Sequence, residues 1–235
     1  LTEEEKLRDN LVLSSKAFHY LASPADLKPR ILKLIAIRAQ MGISRRPLII
    51  WEPSPLTSNP DNLQSCLEVA KLVDVFSPNH LELAATFRVS YSKETQKSEI
   101  ETLALEVLSS GVGPDGNGVV VIRAGENGCL VQSRDVDPKW LPPFYVAAVG
   151  ENQASGVVDP TGAGNAFLGA YSIGYLETGD VIEAAYYGSV AASFALEQVG
   201  MPRKNNEGKD SEELWNGARV RERLDQYKDR QESTN

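Results

Sequence analysis

Short apolar runs alternate with longer amphipathic stretches along this chain. Residues 17–21, 48–51, 73–76 and 119–123 are predominantly apolar and predict short buried strands. Helical spacing of apolar residues predicts helices near 29–41, 63–72 and 98–109. Crossovers of that length join parallel strands. The fold class predicted is α/β, a mostly parallel sheet with helices on both faces. In such sheets ligands sit outside the carboxyl ends of the strands. Trp51-Glu52 and the stretches 79–82, 123–128 and 159–165 each follow a predicted strand, so they are placed to converge on one edge.

The second half carries longer helical signals. One helix opens at Gly162–Gly164 and runs to about Glu177, and another begins near Val181. The second has small residues at helical spacing, Ala184, Gly188, Ala191, Ala192 and Ala195, which predict a close helix–sheet contact. Residues 113–118 read as a polar loop and residues 132–144, with three prolines, as a surface excursion. A final helix over 211–228 would bury Leu214, Trp215, Ala218, Leu224 and Tyr227 as a stripe. This organisation predicts a single domain over 1–228 and a frayed tail over 229–235.

Composition narrows the partners. A chain of 235 residues with 42% hydrophobic content can bury one good core. Its net charge of −8 argues against nucleic-acid or anionic-membrane partners, which need clustered Lys and Arg. Cys66 and Cys129 are too few for a disulfide framework or a zinc site, which fits a reducing, cytoplasmic compartment. His19 and His80 lack metal-ligand spacing, so structural or surface roles are expected for both. No Gly-x-Ser-x-Gly turn is present for hydrolase chemistry.

Candidate chemistry centres on Asp159-Pro160-Thr161-Gly162-Ala163-Gly164-Asn165. Glycines at the opening of a helix let the backbone turn sharply and leave free N–H groups pointing outward, with the positive end of the helix dipole behind them. That arrangement favours phosphate. The alternative is a plain N-terminal cap by Thr161 or Asp159. No Gly-Lys-Ser/Thr follows, so the segment is not a Walker loop, and Phe167 stands where a dinucleotide fingerprint needs a small residue.

The same segment resembles the signature of the ribokinase, or pfkB, family of carbohydrate and nucleoside kinases, Asp-Thr-x-Gly-Ala-Gly-Asp. Asp159, Thr161, Gly162, Ala163 and Gly164 match it, whereas Pro160 replaces a Thr and Asn165 replaces the last Asp. Pro78-Asn79-His80-Leu81-Glu82 resembles the family's Asn-x-x-Glu motif, and Gly125-Glu126-Asn127-Gly128 its Gly-x-x-Gly loop. Trp51-Glu52-Pro53-Ser54-Pro55 stands where many relatives have an Asp-Pro-Asn-like turn. Together with the changes at Pro160 and Asn165, it is similar to the fungal branch named for maintenance of the killer trait.

The resemblance implies a three-layer ribokinase-like fold and an ATP- and Mg2+-dependent phosphotransferase acting on a small-molecule hydroxyl, sugar or nucleoside-like. It gives Gly162, Ala163 and Gly164 the role of an anion hole and Asn165 the position of the catalytic base. Asp159, Thr161, Arg123, Gly125, Gly128 and Asn79 fall to the nucleotide, and Glu82 to a hydrated metal. Relatives pair through lid strands, which leaves a homodimer open. They also carry roughly a further third of a chain before this region, so an N-terminal portion of the family fold is expected to be missing here. Read as residues alone, Asn79-x-x-Glu82 is equally a capping box, and Asn127-Gly128 a hairpin turn. Asn165 bears on activity most directly: an amide takes no proton near neutral pH, and general-base catalysis is worth roughly 10²–10⁴ in rate. The resemblance therefore implies either an attenuated kinase or a binding pseudokinase with a regulatory or scaffolding role.

Overall fold

In the computed structural model, which describes residues 10–89, 97–147, 154–205 and 213–232, the chain divides into two units. The first comprises residues 1–123 and 132–138, the second residues 124–131 and 139–235. The α/β class with a mostly parallel sheet is the observed one. Among the described residues, no helix is long and apolar enough to cross a membrane.

In the first unit, β1 (Ala17–Ala22), β2 (Leu48–Pro53), β3 (Val75–Phe76) and β4 (Val119–Arg123) lie side by side in chain order, each pair parallel. Every residue of β2 is buried, which is why its sequence shows no polar alternation. Trp51 satisfies its one polar group by donating Nε1–H to the Ala22 carbonyl at 3.0 Å. β3 is shorter than the apolar run predicts. At Asp74 the side-chain carboxylate, in place of a backbone carbonyl, takes the Ile49 N–H at 2.7 Å.

The helices of this unit are α1 (Asn10–Leu13), α2 (Pro24–Gln40), α3 (Leu63–Ala70), α4 (His80–Thr86) and α5 (Lys97–Ser110). α2 begins at Pro24, well before residue 29. Ser23 caps it by accepting the Asp26 N–H at 3.1 Å, with Pro24 at the first helical position, where its missing N–H costs nothing. Pro29 is carried inside the helix and does not start it.

In the second unit, β5 (Cys129–Gln132) pairs antiparallel with β6 (Lys139–Leu141). The stretch read as a surface excursion thus contains a strand, and its Leu141 is buried. α6 (Ala163–Thr178) and α7 (Val181–Leu196) pack against each other. A Cβ on Gly174 would lie 2.8 Å from the Tyr187 ring, and one on Gly188 would lie 2.9 Å from the Phe167 ring. Within the small-residue stripe of α7, Ala184 and Gly188 thus serve a helix–helix contact, and the same helix also meets β6 of the sheet.

The final helix also differs from its prediction. β7 (Lys204–Asn205) and β8 (Leu214–Trp215) form a small antiparallel pair, and only then does α8 (Val220–Glu232) begin. Asn216 and Gly217 take φ values of 49° and 80°, and Trp215 and Ala218 exchange both backbone hydrogen bonds at 2.9 Å. An Asn-Gly tight turn of this kind ends helical structure locally. Residues 211–212 lie outside the described residues, as do 233–235, and 229–232 are helical. Leu224 and Tyr227 do face inward, in a cluster with Val190 and Phe194.

Candidate active site

Glu52, Asn79, Glu82 and Arg123, from three of the four sequence segments, meet in the first unit, at the carboxyl ends of β2 and β4 and the start of α4, whereas residues 124–128 belong to the second unit. Asn79 caps α4 by accepting the Glu82 N–H at 2.9 Å, and Glu82 Oε2 accepts the Asn79 N–H at 2.8 Å. The capping-box reading of this motif is thus realised. It fixes the Glu82 carboxylate, only 7% exposed, beside the end of β4. His80 Nδ1 lies 3.2 Å from the Arg123 carbonyl.

Arg123, last in β4, reaches across this edge. Its NH2 donates to the Ser77 carbonyl at 3.0 Å and to Glu52 Oε1 at 2.8 Å, and lies 3.9 Å from Glu82 Oε2. Glu52 Oε2 faces His19 Nε2 at 3.1 Å. An ionised carboxylate only accepts, so Nε2 carries the proton of that bond. Burial pushes the Glu52 pKa up, but the His19 hydrogen bond and the Arg123 charge outweigh it and hold Glu52 below the ordinary carboxylate range. Burial wins at Glu82, whose pKa is raised despite the Asn79 N–H and the Arg123 charge.

The sequence places Glu52 after a predicted strand at the converging edge but assigns it no chemistry of its own, and it gives His19 a structural or surface role. The available signal was one charged side chain at or next to the end of each of two otherwise apolar, buried strands, β2 and β4. Buried charges of that kind are paired.

The fourth segment lies in the second unit. Asp159 Oδ1 accepts the Thr161 N–H at 2.9 Å, a bond that lowers the Asp159 pKa. The Pro160 carbonyl accepts the Ala163 N–H at 3.2 Å across Gly162, whose φ of 84° requires glycine. The Ala166 N–H returns to the Gly162 carbonyl at 3.0 Å. The N–H groups of Gly164 and Asn165 have no acceptor among the described residues, as the first turn of a helix dictates. Thr161, Gly162 and Asn165 are exposed. The chain leading into the turn is held from behind, because the Leu196 carbonyl at the end of α7 accepts the N–H groups of Val158 at 2.7 Å and Asp159 at 3.2 Å. That helix end is itself anchored: Arg223 NH1 and Asn216 Nδ2 each donate to Glu197 at 2.6 Å.

Gly125 and Gly128 belong to a tight turn, Gly125–Asn127, closed by the Gly128 N–H on the Gly125 carbonyl at 3.0 Å. A Cβ on Gly128 would fall 1.9 Å from the Leu141 carbonyl oxygen. The requirement for glycine there comes from the close approach of β6.

The sequence model of the pfkB family carbohydrate kinases matches residues 1–206. The chain belongs to that family. Among pfkB relatives, an uncharacterized protein of Schizosaccharomyces pombe is 34% identical over 227 residues, covering 92% of this chain and 60% of the relative. Protein MAK32 of Saccharomyces cerevisiae is 29% identical over 214 residues, covering 90% and 56%. The chain thus spans less than two thirds of either relative. A ribokinase structure from Thermotoga maritima aligns with a TM-score of 0.56 at 20% identity, over 96% of this chain and 61% of that one, which shows the ribokinase-like fold.

Proposed function

We propose that this pfkB chain serves ATP-dependent phosphoryl transfer to a hydroxyl of a small molecule, sugar or nucleoside-like, at an attenuated rate and in the cytoplasm. The observation that carries the reading is the pair of unengaged N–H groups on Gly164 and Asn165, at the exposed opening of α6. Phosphoryl transfer asks a protein chiefly for positioning and for donors aimed at developing charge. ATP, when bound, supplies the phosphoryl group. The Gly162-Ala163-Gly164 turn would hold its phosphate oxygens through backbone donors, and Asp159 keeps Thr161 in the turn geometry that presents them.

Magnesium accompanies nucleotide phosphates in such transfers. The Glu52–Glu82 pair does not fit a resident divalent cation, because both oxygens of Glu52 and one of Glu82 are engaged by protein groups. No step is therefore assigned to a metal held by this chain's own carboxylates.

Asn165 stands exposed at the position of the family's proton acceptor. It favours a second reading, a nucleotide-binding pseudokinase. ADP release by wild-type and Asn165→Asp chains, over a panel of sugar and nucleoside alcohols, separates the two. The kinase reading expects the variant to gain up to about 10²–10⁴ in rate over a measurable wild-type level. No ADP from either chain, with nucleotide still bound, would leave the pseudokinase reading standing alone.

A further inference from the structure

We infer that the guanidinium of Arg123 occupies the place between Glu52 and Glu82 that a divalent cation would otherwise take, so that this acid pair is closed to metal. The inference rests on the family reading of Glu82 as a metal-facing carboxylate, and on geometry particular to this chain.

Each carboxylate oxygen can be followed to its partner. Glu52 Oε1 takes Arg123 NH2 at 2.8 Å and Oε2 takes His19 Nε2 at 3.1 Å. Glu82 Oε2 takes the Asn79 N–H at 2.8 Å and lies 3.9 Å from Arg123. Only Oε1 of Glu82 has no partner among the described residues. Magnesium binds through one or two carboxylates and keeps a strict octahedral shell. To enter here it would have to displace a guanidinium that is always charged and is tied to the Ser77 carbonyl at 3.0 Å.

Arg123 Nε is the unsatisfied member of this network. It is buried and has no hydrogen-bond partner in the structure. A donor left unsatisfied in the interior costs free energy that the attraction to two carboxylates must offset. Among the described residues, no group of three or more His, Cys, Asp or Glu side chains is placed to hold a metal ion. The arginine sets a fixed positive charge between the two carboxylates.

The test is a Mn2+ titration of the full chain, nucleotide-free, followed by electron paramagnetic resonance. Because no nucleotide is present, its result is independent of whether the glycine turn binds ATP. The wild type is expected to leave the free-ion signal undiminished through the millimolar range, and Mn2+ or Mg2+ to leave its melting temperature unchanged. Arg123→Met, checked for folding by circular dichroism, is expected to gain one saturable Mn2+ site that Arg123→Met/Glu82→Gln loses. Saturable Mn2+ binding by the wild type that disappears in Glu82→Gln would overturn the inference, and needs no folded arginine variant. A folded Arg123→Met chain that binds no Mn2+ would overturn it equally.

Discussion

Replacing Gly128 by alanine should destabilise the second unit far more than the same change at Gly125, three residues away. Gly128 sits at φ 81° and ψ −127°, a conformation that is nearly glycine-only and costs another residue about 1–3 kcal/mol. Its new Cβ would also lie 1.9 Å from the Leu141 oxygen, 2.6 Å from the Pro142 carbonyl carbon and 2.8 Å from the Pro143 nitrogen. All three are backbone atoms, so no side-chain rotation relieves the overlap. Overpacking adds about 1–3 kcal/mol where neighbours can shift, and the rigid β5–β6 pair puts Gly128→Ala at the upper end of the summed range, about 4–6 kcal/mol. Gly125, at φ 56° with open space around it, should cost only about 1–2 kcal/mol. Urea unfolding read through hydrogen exchange at the amides of β5 measures both. A Gly128→Ala loss no larger than that of Gly125→Ala would refute the packing argument, and would return Gly128 to a ligand-facing role.

Asn79→Ala removes one half of the α4 capping box and should cost about 0.5–2 kcal/mol in thermal or urea unfolding; an unchanged midpoint would mean that the box contributes nothing. Glu52 and Glu82 should bend the pH dependence of stability in opposite senses. The lowered Glu52 pKa adds stability that is present above its unfolded value, about 4.3, and is lost as pH falls through the folded one. The raised Glu82 pKa adds stability below the unfolded value, lost as pH rises through the folded one. Glu52→Gln should therefore flatten the acid limb of the urea midpoint against pH, and an acid limb identical to wild type would refute the pairing. Burial pushes the thiols of Cys66 and Cys129 up to about 12, so native chain should resist iodoacetamide at neutral pH until it unfolds. Rapid alkylation of either in the native state would contradict their placement.

The parallel strands were legible in the sequence because burial on both faces leaves uninterrupted apolar runs, as in β2 and β4. Helix ends were harder. Pro29 reads as the start of α2, whereas the observed cap at Ser23 depends on one side-chain hydrogen bond. The Asn216-Gly217 turn carried a clear hairpin signal, masked by apolar residues on either side that also suit a helix. In the candidate site, the glycine turn was visible because its conformation restricts residue type. The Glu52–His19–Arg123 cluster was not, since its members lie far apart in the chain and meet only through strand register.

Calorimetric titration of MgATP into the full chain tests the central claim that the opening of α6 is a working phosphate site. The account predicts saturable binding by the wild type, weakened by Gly164→Val, whose side chain would crowd the turn that presents the Gly164 and Asn165 N–H groups. Absence of binding in a chain shown to be folded, or equal binding by Gly164→Val, would contradict it.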